Sequence, residues 1–502
     1  MHRWDRFPEN FVMKNFDVVI AGYGLSGALA AYWCNEFGLS CCVLEKKPYA
    51  GGISILAGGD VRTSSDSRKT FEYLRQTNNG TVSDKVLAAL ADGMTEIHED
   101  LKIIADEVGS VVKYIKATET EQAQHNYGFE GWDSLDLARI VKADCVDIKK
   151  DYPNAKARSH AHGWKLYGTV DKVVRKRRIP IYFNTALTKV DRESKTINDT
   201  FGYKKLIIAT GGFEADHELQ RQNWQLGPLM HNGFDGNTGD GIKLLNSWGA
   251  ENCHMWHFHG GYCFKHPSGF GIRVKGMNAW NPTQKFLAKS QLPVGHIIVD
   301  QDGKRYMNEW NSYYTDSGWR AMDYFDNDTV RYPRSPSYFI STEKGRLQGP
   351  WGSITFNLPN ISYKEWSQDN LAEIDSGIIT KCNSIDDLAD FIGCKTKKLS
   401  DTLNKVKTRQ DDFDRPDGLD IDFDFPPFYV APVWPTVGNT QGGPRHNENY
   451  QPLNAFGKIV DKDVYSIGEC GSSFGWLYMS AGNWAECFVS AKNSVHHIKK
   501  SQ

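Results

Sequence analysis

Gly22, Gly24 and Gly27 stand in the order GYGLSG, directly after an apolar run of strand length at residues 16–21. Small and apolar residues then continue at helical spacing through Leu25, Ala28, Leu29 and Tyr32, and a second apolar run at 41–44 ends in Glu45. Glycines at this spacing between a strand and a helix are suited to holding a pyrophosphate. Gly22 permits the tight turn, Gly24 lets the backbone approach the phosphates, and Gly27 lets the helix pack closely on the strand. Leu25 and Ser26 begin the helix, whose first N–H groups face the anion. Glu45 is placed to take ribose hydroxyls. A carboxylate there would repel a 2′-phosphate, which argues against NADP at this site.

The elements around this βαβ unit belong to a chain of 502 residues, long enough for two domains or for one large domain with an insertion. Its apolar content of 40% and charged content of 24% are ordinary for a globular enzyme. A net charge of −2 makes no electrostatic case for nucleic acid or for an anionic lipid surface. No apolar stretch reaches the roughly 18 residues of a membrane span. The beginning of the chain, MHRWDRFPEN, has charges and a proline but no apolar centre, so it does not read as a signal peptide. The 10 cysteines form no CxxC or CxxCH. They read as reduced thiols of a cytoplasmic protein, which leaves haem attachment and cysteine-ligated iron–sulfur clusters unsupported.

Lys46 and the two glycine pairs after it, in KKPYAGGISILAGG, describe backbone that must run close to something flat and bulky. Gly51, Gly52, Ile53, Ser54, Gly58 and Gly59 are therefore expected along the ligand. Residues 83–150 are predicted to be mainly helical, from Val86, Leu90, Met94, Ile97 and Leu101, with Ser83 as the first N-cap. A strand at 204–209 runs into Ala209, Thr210, Gly211 and Gly212, whose glycines again admit close approach. Asp240 opens a helix at 241–248. From residue 254 to 430 aromatics and prolines become frequent and no βαβ pattern is visible, which predicts an inserted substrate domain. The last part returns to glycine-rich sequence: TQGG at 440–443, a strand at 464–467 ending in Gly468 and Glu469, and a helix from about 482 to 497. This divides the chain into 1–253, 254–430 and 431–502. No second GxGxxG lies between a strand and a helix. A built-in NADH site is thus not expected, and electrons are exchanged with an external carrier or a second small-molecule substrate.

The ordered set GYGLSG, EKKPYAGG, ATGG, NTGDG, KRYMNE, TQGG and GECGS resembles the flavoprotein superfamily of fumarate reductases and succinate dehydrogenases. The resemblance implies an α/β fold: a Rossmann-like FAD-binding domain split in sequence, with an inserted α+β capping domain. It also implies bound FAD, with Glu469 on the ribityl side. The histidine that carries covalent FAD in respiratory members is not found around Gly51–Ser54, so the FAD is expected to be non-covalent. Fumarate-reducing members place a proton-donating arginine shortly after KRxxNE, where this chain has Tyr313. They place a second arginine before a GGN, where this chain reads WLYMSAGN, including Tyr478, Ser480, Gly482 and Asn483. These departures are similar to the 3-ketosteroid dehydrogenase branch. Its Δ1 members carry a tyrosine at the place of Tyr313 and a Tyr-x-x-x-Gly pair at Tyr478 and Gly482. Its Δ4-(5α) members carry Tyr-x-Ser, matching Tyr478 and Ser480.

What this resemblance implies is oxidation or reduction of a carbon–carbon bond beside a carbonyl, on an apolar ketosteroid-like substrate. The Tyr478 hydroxyl and Gly482 N–H would hold the carbonyl oxygen as charge develops, and Tyr313 would exchange the proton, with Tyr127 in support. Two alternatives stand beside it. One is an enoate reductase for a carboxylate substrate, using Arg445, Arg273 or a histidine. The other is a flavin-binding protein without turnover. His254, His257, His259 and His266 crowd together without zinc spacing and are read as structural, with His259 nearest the register of a substrate histidine.

Overall fold

The computed structural model describes residues 13–119, 128–153, 162–231, 234–267, 269–274, 295–309, 317–353, 366–413 and 421–502. The motif segment folds as expected, into strand β1 (Lys14–Ala21), helix α1 (Leu25–Glu36) and strand β2 (Cys41–Leu44). Val18, Val19 and Ile20 are fully buried, because helices and loops cover both faces of a parallel sheet. β1 pairs parallel with β2 on one side and with strand Phe201–Ile208 on the other. Strand Ile181–Tyr182 extends the sheet beyond β2. From the far end of the chain, Val464–Ser466 returns to pair parallel with Phe201–Ile208. The dinucleotide layer is therefore split in sequence but continuous in space.

A second sheet of eight strands carries the aromatic-rich region. Its axis is the 13-residue strand Phe428–Thr440, flanked antiparallel by Phe258–Lys265 and Ser337–Thr342. That strand runs past residue 430 and ends beside the first domain, where Thr440 Oγ1 accepts from the Phe213 N–H at 3.0 Å. Trp351 and Trp366 pack with Phe264 and Phe339 inside this layer, and Trp319 is buried against Phe258. Within KRYMNE, the Arg305 guanidinium meets Glu309 bidentately, at 3.1 and 2.6 Å, with both side chains buried. Arg305 also reaches Asp411 at 2.6 Å, and Glu309 accepts from the Ile298 N–H at 2.8 Å. The motif is thus a lock inside the second layer, each charge desolvated but paired.

One expectation is corrected. Residues 83–150 begin as helices Asp84–Met94 and Ile97–Asp106, but strands Val111–Ile115 and Leu135–Lys142 follow. These two strands join β3 (Asp60–Ser64) in a three-stranded antiparallel sheet. The β-branched run at 111–115 and a partner strand remote in sequence outweigh the helical period set up upstream. Ser83 does sit at the N-cap, without a side-chain hydrogen bond.

Candidate active site

The glycines do what their spacing requires. Gly22 has φ of +103°, and a Cβ there would lie 2.3 Å from the Ala209 carbonyl oxygen in the facing turn. A Cβ on Gly27 would lie 2.0 Å from the Gly22 carbonyl oxygen, so helix and strand touch backbone to backbone. Around Gly24 the nearest atoms to such a Cβ are Ser54 Oγ at 3.6 Å and the Gly51 carbonyl oxygen at 3.9 Å. That leaves the backbone open toward the cleft. Ser54 Oγ accepts from the Leu25 N–H at 3.1 Å, which ties the second glycine loop to the start of α1.

These elements border a cleft of about 1160 Å³, its open mouth included. Glu45 lines it, is buried, and its carboxylate accepts from the N–H groups of Tyr23 (2.9 Å) and Lys47 (2.8 Å). Burial raises the Glu45 pKa, partly countered by those two N–H groups. Lys46 also lines the cleft and pairs with Asp240 at 2.7 Å. Asp240 occupies the first turn of helix Asp240–Ser247 and also borders the cleft, so it does more than begin a helix. Gly52, Ile53, Ser54, Ala209, Thr210 and Gly211 form the walls. Glu469, Tyr478 and Asn483, with Asn439, also line it.

Not every expected residue borders the cleft. A Cβ on Gly59 would lie 2.4 Å from the His162 backbone, so Gly59 serves close packing against the start of helix Gly163–Lys176, whereas a Cβ on Gly58 would meet open space, and neither borders the cleft. Gly51, with φ of +109°, turns the chain behind Gly52. Gly212 packs on Thr440, and Gly468, at φ of +63°, packs on Ser26 Oγ. Ser480 is buried, and its carbonyl is held by Arg62. The Gly482 N–H donates to the Met479 carbonyl at 2.7 Å. That commits the amide expected to pair with Tyr478 on a substrate carbonyl. Tyr313 and Tyr127 lie outside the described residues.

The arrangement around Tyr478 can do chemistry. Tyr478 is 7% exposed and packs edge-on to Phe474, with the His259 ring 5.0 Å away. Its hydroxyl oxygen accepts from the Asn483 N–H at 3.4 Å, in the first turn of helix Gly482–Lys500. The helix N-terminus therefore points at the phenol oxygen and favours negative charge there. Asn483 Nδ2 donates to Glu469 Oε1 at 2.6 Å. Among the described residues, Glu469 Oε2 and Asn483 Oδ1 are buried and have no hydrogen-bond partner. Buried polar atoms are normally satisfied, and both residues line the cleft that the first glycine turn and Glu45 also border. The donors and acceptors fit the hydroxylated chain of a flavin dinucleotide.

Among the other histidines, His257 Nδ1 lies 2.6 Å from the Phe474 carbonyl and His266 stacks on Phe270. No metal cluster is present among the described residues. Arg445 pairs with Glu251 at 2.8 Å and does not border the cleft, and Arg273 lies in strand Gly271–Val274. Sequence reasoning missed Asn439, Cys487 and Arg62. Cys487 lies four residues after Asn483 on the same helix, a spacing that brings both to one face. For Arg62 no sequence pattern pointed to the site.

Burial raises the Glu469 pKa to about 7. Between the ordinary carboxylate range and pH 7 the unfolded chain has lost this proton and the folded chain keeps it, so the group costs stability as pH rises through that window. For the cofactor-free protein, Glu469→Gln is expected to gain in Tm relative to the unaltered chain between pH 5 and pH 8. Thermal melts at these two pH values check this, and a constant difference would refute it.

An FAD binding domain family model matches residues 17–484. A 3-oxosteroid 1-dehydrogenase of Mycobacterium tuberculosis (strain ATCC 25618 / H37Rv) is 22% identical, over 91% of this chain and 93% of that protein. An NADH:fumarate oxidoreductase of Klebsiella pneumoniae (strain 342) is 23% identical, over 91% of this chain and 44% of that protein. Of solved structures, 3-ketosteroid delta1-dehydrogenase from Sterolibacterium denitrificans, in complex with 1,4-androstadiene-3,17-dione, is similar with a TM-score of 0.75 at 18% identity. That match covers 98% of this chain and 100% of the other. The open conformation of a flavocytochrome c3 fumarate reductase is similar with a TM-score of 0.65 at 16% identity, over 97% and 78% of the two chains. At these identities the solved structures show a common fold. No helix among the described residues is long and apolar enough to cross a membrane.

Proposed function

The chain belongs to the FAD binding domain family, and from that premise we propose that it is an FAD-dependent oxidoreductase acting on a carbon–carbon bond beside a carbonyl. The substrate class is a neutral, apolar ketone of the ketosteroid kind. The observation that carries this reading is the buried Tyr478 phenol lining the cleft, with a helix N-terminal N–H directed at its oxygen. The phenol accepts from the Asn483 N–H through a lone pair, and a hydrogen bond donated from its hydroxyl to a substrate carbonyl would be strengthened by that one in series. A hydrogen bond there stabilises the enolate that forms when the neighbouring proton leaves or arrives. Free tyrosine has a pKa of about 10 and is a proton donor at neutral pH. The bound flavin supplies hydride acceptance or donation.

We assign Glu45 to the ribose, the Gly22–Gly27 turn with Ser54 to the pyrophosphate, and Glu469 with Asn483 to the ribityl side. Tyr313 keeps its proposed role in proton exchange. We place the FAD portions at 1–253 and 431–502 and the cap at 254–430, and an external carrier as the electron partner. A neutral substrate accords with the cleft walls, where Lys46, already paired with Asp240, is the one cation among the described lining residues. Anaerobic flavin spectra test the reading. Bleaching by a saturated 3-ketosteroid, or reoxidation of dye-reduced flavin by its enone, is expected. Reoxidation by fumarate alone would overturn the substrate class, and silence toward both would overturn the enzymatic reading.

A further inference from the structure

Tyr478 is aimed by the turn that follows it, and that turn is strained. The Gly482 N–H donates to the Met479 carbonyl at 2.7 Å, closing a four-residue turn at 479–482. Its third residue, Ala481, has φ of +64° and ψ of 10°. This left-handed conformation is one that turns ordinarily give to glycine, and a Cβ makes it costly. Such strain persists where neighbouring structure enforces it.

The neighbour here is Arg62 of β3, a guanidinium that is fully buried. Its Nε donates to the Ser480 carbonyl at 3.1 Å and its Nη1 to the Leu135 carbonyl at 2.8 Å. Its own backbone N–H donates to the Ala481 carbonyl at 3.4 Å. One residue thus grips both carbonyls at the strained step and ties them to strand Leu135–Lys142. Burying a guanidinium is expensive, and a carbonyl cradle is how such a charge is made tolerable. Burial draws the Arg62 pKa down to about 10, with Tyr73, Asp60, Tyr478 and Asp136 opposing, so it stays cationic at neutral pH.

We propose that Arg62 is the positioning residue for Tyr478, holding the left-handed turn from behind so that the phenol is presented to the cleft with a fixed cation at its back. The role rests on the reading of Tyr478 given above, and it predicts two separable effects. Misaiming a catalytic group by about 1 Å costs on the order of 10²-fold in rate. A fixed cation near a phenol favours its ionised form.

The test uses the FAD-loaded protein with Arg62→Lys, Arg62→Met, and each combined with Ala481→Gly. Flavin content is expected to be retained, with kcat down roughly 10²-fold in Arg62→Lys and KM changed much less. Ala481→Gly in that background is expected to recover at least about tenfold, since glycine takes the turn without a clamp. Independently of turnover, ultraviolet difference titration against a Tyr478→Phe control reads the phenol, whose midpoint is expected to rise in Arg62→Met. A kcat within twofold of the unaltered enzyme, a loss that follows flavin loss, the absence of glycine rescue, or an unmoved titration would each overturn the proposal. If the unaltered enzyme turns over no ketone or enone, the functional reading fails, while the titration still decides whether Arg62 governs Tyr478.

Discussion

Tyr478→Phe is expected to bind FAD normally and to lose turnover by roughly 10²–10³-fold, the scale for one lost donor to a developing oxyanion. The substitution removes one oxygen from a ring packed against Phe474 and His259, so packing is preserved. The Asn483 N–H that now meets the phenol oxygen loses that partner, but it lies at a helix start, where unbonded N–H groups are ordinary. The loss should appear in kcat, because the hydrogen bond strengthens as charge develops and adds little to ground-state affinity. Stopped-flow flavin reduction or reoxidation with a ketosteroid pair measures this step directly. A rate within threefold of the unaltered enzyme would remove Tyr478 from the mechanism.

Gly22→Ala should abolish flavin loading. Two penalties combine at this position: φ of +103°, where an alanine is strained, and a Cβ placed 2.3 Å from the Ala209 carbonyl oxygen. Neither neighbour can yield cheaply. The obstructing atom is backbone, and Ala209 is hydrogen-bonded through its N–H to the Ala21 carbonyl at 2.8 Å. Relief requires the β1 turn and the turn after Phe201–Ile208 to separate, and that opens the cleft wall these two turns form. The purified variant is expected to be colourless and not reconstituted by added FAD. By contrast, a Cβ on Gly24 would find its nearest atom at 3.6 Å, so Gly24→Ala should fold and show weakened FAD binding, read by fluorescence titration. Yellow Gly22→Ala protein with normal flavin content would contradict the account of the first glycine turn.

Much of the dinucleotide layer was legible in residue order, because its determinants are local. A strand, a glycine turn, a helix and an acidic terminus each require their own residue types, and β1, α1, β2 and Glu45 lie where those types predict. ATGG likewise announced close backbone approach, and its Gly212 packs against Thr440, distant in sequence. What residue order left undecided was which glycines face the ligand and which face other backbone. Gly24 and Gly59 look alike in a string, but one borders the cleft and the other packs on His162.

The strands at 111–115 and 135–142 were hidden because a short strand is stabilised by its partners, here β3 against 135–142 and 135–142 against 111–115, and not by its own period. The availability of a hydrogen-bond donor was hidden in the same way. Gly482 matches the family text, yet the turn at 479–482 gives its N–H to Met479. Arg62 was invisible for the strongest version of this reason: its meaning lies in carbonyls of Ser480 and Leu135, brought to it by chain separated from it by whole elements. The sequence by itself determined the cofactor layer, since phosphate-binding turns are written in consecutive residues. Only the tertiary structure decided how the Tyr478 phenol is aimed, since that depends on backbone groups that every residue carries and that only folding places.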